Sequence, residues 1–194
     1  MEDWLKHSKA FNYADDTSTS SKGKEKEEVM NKLGEDAEGV LDFMASNGLV
    51  ANPSKTVFMM LNNKTRSTVE RLEINVGGDM IEQSEHTKLL GMEIQESQKW
   101  SIHFKKLKEA LNYRLFQIRR ISNQIPKEQL NKVVHSIWMS KLRYGLQISA
   151  HTRSKLEDKQ NTDMKSIQVA QNRLLRMLYG CTLRDKVETK TRGC

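Results

Sequence analysis

Asp15 and Asp16 are the residues of this chain best placed to do chemistry. They stand in Phe11-Asn12-Tyr13-Ala14-Asp15-Asp16-Thr17-Ser18, where an aromatic–small pair precedes two neighbouring acids and short β-formers and hydroxyls flank them. The pattern predicts a tight β-hairpin with its carboxylates at the tip. Successive side chains of a strand point to opposite faces, so two adjacent Asp converge on one ion only where a turn breaks the alternation. Converging carboxylates are hard oxygen ligands that suit Mg²⁺ beside waters and substrate phosphates. Two such ions can clamp the attacking and leaving oxygens of a phosphoryl displacement. The same pair also reads as a solvated turn, because Asp favours turns through local hydrogen bonds.

The elements that must position this tip come after it in the chain. Residues 1–10 are polar and lead into the hairpin without a core pattern, and Ser20 to Glu28 is a mixed-charge loop. Leu33, Ala37, Val40, Leu41 and Met44 recur at helical spacing and predict an amphipathic helix over 27–46. Gly34 and Gly39 argue against it, and Asn47-Gly48 is a natural stop. A turn over Gly48 to Thr56 then leads into a predicted strand, Val57 to Leu61. Leu72, Ile74 and Val76 alternate, Gly77-Gly78-Asp79 turns the chain, and Leu89 to Ile94 is expected to return it.

From residue 101 the period becomes helical. Phe104, Leu107, Leu111, Leu115 and Ile118 form one apolar face, with Ser101 as the expected N-cap. Pro126 suits the first turn of a second helix, whose face is Leu130, Val133, Val134, Ile137, Trp138 and Leu142. A third begins at Thr162 or Asp163, carries Ile167, Ala170, Leu174 and Leu178, and ends at Gly180. One-faced helices bury their stripes only against each other or against strands. The fold expected is therefore α+β, short antiparallel strands and a helix followed by a helical bundle.

Charge divides the 194 residues unevenly. Residues 1–100 hold 12 Lys and Arg against 18 Asp and Glu, and residues 101–194 hold 20 against 7, so the halves carry −6 and +13. Between 101 and 150, Lys105, Lys106, Lys108, Arg114, Arg119, Arg120, Lys127, Lys132, Lys141 and Arg143 face only Glu109 and Glu128. A charge run is commonly a solvated face, but ten against two favours a track for nucleic-acid phosphates. Such contacts position a strand without reading its sequence. Cys181 and Cys194 give neither a disulfide framework nor zinc spacing. No apolar run approaches a membrane span and the polar start is no signal peptide, so an intracellular setting without a membrane partner is expected.

These stretches also carry a family resemblance. Tyr13-Ala14-Asp15-Asp16-Thr17 resembles motif C, the metal-binding hairpin of reverse transcriptases, in the form usual for non-LTR (LINE-type) retrotransposons. By chance the tetrapeptide would occur in a chain this long on the order of once in a thousand, so the order of the later motifs carries much of the weight. Leu49-Val50-Ala51-Asn52-Pro53-Ser54-Lys55-Thr56 resembles motif D. Lys88-Leu89-Leu90-Gly91, with Trp100 and His103 after it, resembles motif E and the start of the thumb. Ser166 to Arg176 is similar to a segment found after the thumb in some animal elements; its Gln and Asn also read as a solvated helix face.

The resemblance implies a partial palm over 1–98, a thumb-like region over 99–150 and a post-thumb extension over 151–194. It implies Mg²⁺ held by Asp15 with Asp16, both catalytic, and Lys55 beside the triphosphate. It makes Leu89, Leu90 and Gly91 a primer grip, with backbone meeting the primer while Leu89 and Leu90 also serve as core. Lys105, Lys106, Lys108, Arg114, Arg119, Arg120, Lys141 and Arg143 become contacts to an RNA template and DNA primer, with deoxynucleoside triphosphates as substrates. Only twelve residues precede Tyr13, too few for the fingers and for the earlier palm strand that supplies another catalytic Asp. The expectation is thus a fragment of an RNA-directed DNA polymerase, inactive alone. The alternative is a non-catalytic basic helical module that binds RNA or DNA.

Overall fold

A computed structural model describes residues 2–61, 72–150 and 157–180. The chain divides into two compact units, Met1–Thr87 and Lys88–Cys194. Together they are mixed α+β, with small antiparallel two-stranded sheets beside the helices.

The first unit opens with a 3-10 turn, Glu2–Trp4, and a hairpin of β1 (Lys9–Tyr13) and β2 (Asp16–Ser20). Helix α1 occupies Lys26–Ser46, one residue longer than its apolar spacing predicts. It ends at Asn47-Gly48, as those residue types predict. Gly48 has φ +70°, its N–H donates to Ala45 O at 3.0 Å, and the Leu49 N–H reaches Met44 O at 2.8 Å. These two bonds are a Schellman closure, which satisfies carbonyls the helix would otherwise leave bare. Gly39 has a packing reason: a Cβ there would run into the Trp4 carbonyl oxygen. Gly34 has none, since nothing lies within 4 Å of its would-be Cβ.

Asn52-Pro53-Ser54-Lys55 winds into a 3-10 turn over Pro53–Lys55, and the Asn52 side chain accepts from Ser54 N–H at 3.1 Å. The strand expected over Val57 to Leu61 does not form. Only Phe58 pairs, through a single parallel bridge to Gln83, and its side chain is buried while Val57 and Leu61 are exposed. A buried Phe fixes one residue of an extended segment, but a strand needs a partner along its length. β3 (Glu73–Val76) and β4 (Asp79–Glu82) form the Gly-Gly hairpin, with Val76 opposite Asp79. Gly77 and Gly78 both have positive φ, as a type I′ turn requires. The strand that returns from this turn is Asp79–Glu82, which corrects the expectation that Leu89 to Ile94 does so. That stretch is a hairpin of its own, β5 (His86–Leu89) with β6 (Met92–Gln95), turned by Leu90 (φ +46°) and Gly91 (φ +80°).

The second unit is built around α2 (Ser101–Ile121), α3 (Lys127–Val133), a π-helical run Val134–Met139, α4 (Ser140–Arg143), α5 (Leu146–Ala150) and α6 (Glu157–Tyr179). Trp100, not Ser101, is the N-cap of α2, and its side chain does not cap. Gln95 at the end of β6 caps in its place: its Oε1 accepts from Ile102 N–H at 3.0 Å and from the Ser101 hydroxyl at 3.1 Å. α6 begins at Glu157, earlier than Thr162 or Asp163.

Phe104, Leu107, Leu111 and Ile118 of α2 pack with Leu130, Val134, Trp138 and Leu142 and with Ile167, Ala170 and Leu174 of α6. Helix α6 therefore shares one core with α2 and with the helical run from α3 to α4. Leu130, Val134, Trp138 and Leu142 recur every fourth residue, and four residues of an α-helix overshoot a full turn by about 40°. The wider π-helical run turns less per residue and takes back part of that drift, which keeps the row on the core. Ile137, expected on this face, is instead exposed. Trp138 is fully buried, and its indole N–H donates to Leu111 O at 3.1 Å.

Candidate nucleic-acid interface and metal-binding hairpin

Phe11, Tyr13, Thr17 and Thr19 supply the β-propensity of the first hairpin. Its register pairs Tyr13 with Asp16, so Ala14-Asp15 is the two-residue turn. Asp15 thus lies in the turn and Asp16 on the first residue of β2, and both are exposed. Ala14 carries φ +54°. A side chain held in that region costs of order 1–3 kcal/mol, so the carboxylates sit beside local backbone strain. Phe11 and Tyr13 are 59% and 68% exposed, an aromatic surface on a sheet of only two strands.

The donor set fits Mg²⁺ chemically: two hard carboxylates at an open turn leave room for waters and phosphate oxygens. Among the described residues, no group of three or more His, Cys, Asp or Glu side chains is placed to share a metal ion. Lys55 is exposed at the end of its 3-10 turn. Among the described residues, no hydrogen bond or ion pair joins it to Asp15 or Asp16.

What holds the hairpin to α1 escaped the sequence reading. Asp36 is 1% exposed, and its carboxylate accepts from the backbone N–H of Lys6 at 2.7 Å and of His7 at 3.1 Å. Burial raises its pKa, but the Ser8 side chain and the N–H groups of Lys6, His7 and Ser8 outweigh that and hold it below the ordinary value. The Ser8 hydroxyl acts from beside the carboxylate, outside regular hydrogen-bond geometry. A signal existed: Asp36 lies three residues after Leu33 and four before Val40, an acid on the apolar stripe.

In the second unit Leu89 and Leu90 are at the tip of the β5–β6 hairpin, 36% and 43% exposed. The expectation that they are core is overturned: Leu90 occupies the turn at φ +46°, and both side chains are left exposed at the end of a two-stranded hairpin. The Tyr144 hydroxyl donates to Leu90 O, and a Cβ on Gly91 would meet the Tyr144 ring at 3.3 Å. The tip is stapled to the end of α4 through its backbone.

No protein-family model, curated protein or solved structure matches the chain.

His103, the last residue of the motif E stretch, is buried with its ring edge-on to Trp100 and Phe104. Its Nδ1 accepts from Glu93 N–H at 3.4 Å, and among the described residues its Nε2 has no partner. Burial holds the imidazole below its ordinary pKa, Lys141 pushes the same way, and Glu93 opposes both. Glu93 is itself buried and takes Lys106 Nζ at 2.8 Å.

The basic residues sort by their partners. Lys106 is held by Glu93, Arg114 donates to Ile137 O at 2.6 Å, and Lys141 is half-buried over the Tyr144 ring. Lys105, Lys108, Arg119, Arg120 and Arg143 are exposed. Lys105, Lys108 and Arg119 fall within about 60° of one another around α2, given 3.6 residues per turn. They form one flank of α2. Among the described residues, no helix is long and apolar enough to cross a membrane.

Proposed function

We propose that the chain is the C-terminal palm-and-thumb part of a LINE-type RNA-directed DNA polymerase. The reaction is attack of a primer 3′-hydroxyl on a deoxynucleoside triphosphate, with release of pyrophosphate. One observation carries the reading: the motif residues stand in family order on local backbone that suits their roles. Asp15 and Asp16 are at a two-residue hairpin turn, Lys55 closes a capped 3-10 turn, and Leu89-Leu90-Gly91 ends a second hairpin just before α2.

In this reading Asp15 is the principal Mg²⁺ ligand, Asp16 supports it, and Lys55 gives a proton to the leaving pyrophosphate. Bound there, Mg²⁺ supplies positive charge against the triphosphate and the reacting oxygens. The two hairpin carboxylates are part of the family's acidic set, so the chain alone is expected to hold primer–template without extending it.

The second reading, a non-catalytic nucleic-acid binder, is favoured by the charge split and by the exposed basic flank of α2. A Mg²⁺ titration of primer–template binding separates the two, because Mg²⁺-strengthened binding in wild type that Asp15→Asn loses supports the first reading even without extension. Primer extension on an RNA template with Mg²⁺ and deoxynucleotides, and a salt titration of binding, run beside it. Extension that falls at least about a hundredfold in Asp15→Asn makes the chain an enzyme. Salt-sensitive binding, equal in wild type and Asp15→Asn and without extension, makes it a binder.

A further inference from the structure

Lys165 and Arg173 lie outside the basic track of residues 101–150, because they stand on the post-thumb helix. In the fold that helix packs against α2. Between the two lies a cleft of about 260 Å³ lined by Lys108 and Asn112 from α2 and by Lys165, Val169 and Arg173 from α6. The α6 residues recur every four positions and form one row. Lys108, Lys165 and Arg173 are exposed, and among the described residues no carboxylate pairs with any of them. The cleft is thus walled from two helices by unneutralised cations.

We propose that this α2–α6 cleft seats the sugar–phosphate backbone of a nucleic-acid strand, with Lys108, Lys165 and Arg173 as its phosphate contacts. Three features select that occupant. Lys165 and Arg173 are eight residues apart, about 12 Å along the helix at 1.5 Å per residue. Phosphates of one strand advance about 3.4 Å each along a duplex, so the row spans several successive phosphates, more than a single free anion covers. Lys105 and Arg119 extend the charge along the same flank of α2, beyond both ends of the cleft. By contrast, the larger groove of about 590 Å³ on the other flank of α2 has Arg114 as its one charged lining residue, and that guanidinium is bonded to Ile137 O. The assignment rests on the nucleic-acid-binding part of the proposed function but not on catalysis.

The test is fluorescence anisotropy of the full chain with labelled oligonucleotides over a salt series. Lys108→Gln/Arg173→Gln is compared with wild type and with Lys32→Gln, whose lysine stands on α1, outside the basic track, and pairs with Glu28 at 2.5 Å. The double variant is expected to bind roughly tenfold more weakly, equally for unrelated sequences. Its log–log salt slope should be shallower by about two, one per phosphate contact. Lys32→Gln should leave both unchanged, and Lys108→Arg/Arg173→Lys should restore the slope. Wild-type binding with an unaltered slope in the double variant overturns the cleft while leaving the proposed function standing. Binding that neither Mg²⁺ nor Asp15→Asn alters, with the cleft effect intact, does the reverse. Equal displacement of the oligonucleotide from wild type and double variant by inorganic phosphate at a few millimolar would mark a site for the free ion elsewhere, and also overturn the assignment.

Discussion

The two units are held together by different means. Among the described residues of Met1–Thr87 the buried apolar side chains are Phe58 and Ile74, and the most buried charged group, Asp36, ties residues 6 and 7 to α1. Phe11 and Tyr13 are left largely in solvent, and Trp4 is 43% exposed. In Lys88–Cys194 three helical segments bury eleven apolar residues in one cluster around Trp138 and Leu111. The first unit is therefore organised by backbone hydrogen bonds and one carboxylate, and the second by packing. The proposed chemistry divides the same way. The carboxylates sit on an uncovered turn, whereas the phosphate-binding cations stand on helices fixed by a core.

The sharpest way to break that contrast is Trp138→Ala. It removes the largest fully buried side chain and the partner of Leu111 O, and should cost the second unit about 3–5 kcal/mol in urea unfolding. A loss below about 1 kcal/mol would mean that packing does not dominate there.

Acid should separate the units next. Asp36 has a folded-state pKa below its ordinary 3.8, so its contribution is fully present above that value and lost as pH falls through the folded pKa. His103 is depressed from 6.5, so its neutral form is favoured in the fold. Protonation then destabilises the second unit from about pH 6.5 down to the folded pKa, by at most about 1.4 kcal/mol per pH unit. Unfolding monitored at pH 7, 5 and 3 should show the second unit weakening first, with His103→Gln flattening that early phase. Asp36→Asn should flatten the later one and cost the first unit about 2 kcal/mol at pH 7, because a buried site loses charge-assisted bonds. Simultaneous weakening from pH 6.5 in wild type would break the comparison.

Gly34→Ala is the mildest probe. Open space around that Cβ and a mid-helix position predict a gain of about 0.5–1 kcal/mol in the first unit. The same change at Gly39 should destabilise, since the Trp4 carbonyl occupies the space. Thermal melts of the two variants check the pair.

Local physics made much of this legible beforehand. Helix α1, the apolar faces of α2 and α6, the Ala14-Asp15 turn and the Gly77-Gly78 turn all arise from period or from turn residues, which act within a few positions along the chain. The place of Asp15 and Asp16 at a hairpin turn was legible for the same reason. What misled was any inference about a distant partner. Phe58 looked like part of a strand but gained one bridge, Leu89 to Ile94 looked like a return strand but closed on itself, and Ser101 lost its capping role to Gln95.

The sequence by itself determined where the long helices run, where the first hairpin and the Gly77-Gly78 hairpin turn and that the second half is basic, because propensity, periodicity and charge are properties of neighbours. Only the tertiary structure decided that Asp36 is a buried acceptor, that Lys106 belongs to Glu93 while Lys108 faces a cleft, and that α6 brings Lys165 and Arg173 to α2. Those outcomes depend on which surfaces meet across tens of residues. The burial that fixes them is non-directional and leaves no mark at any one position of the chain.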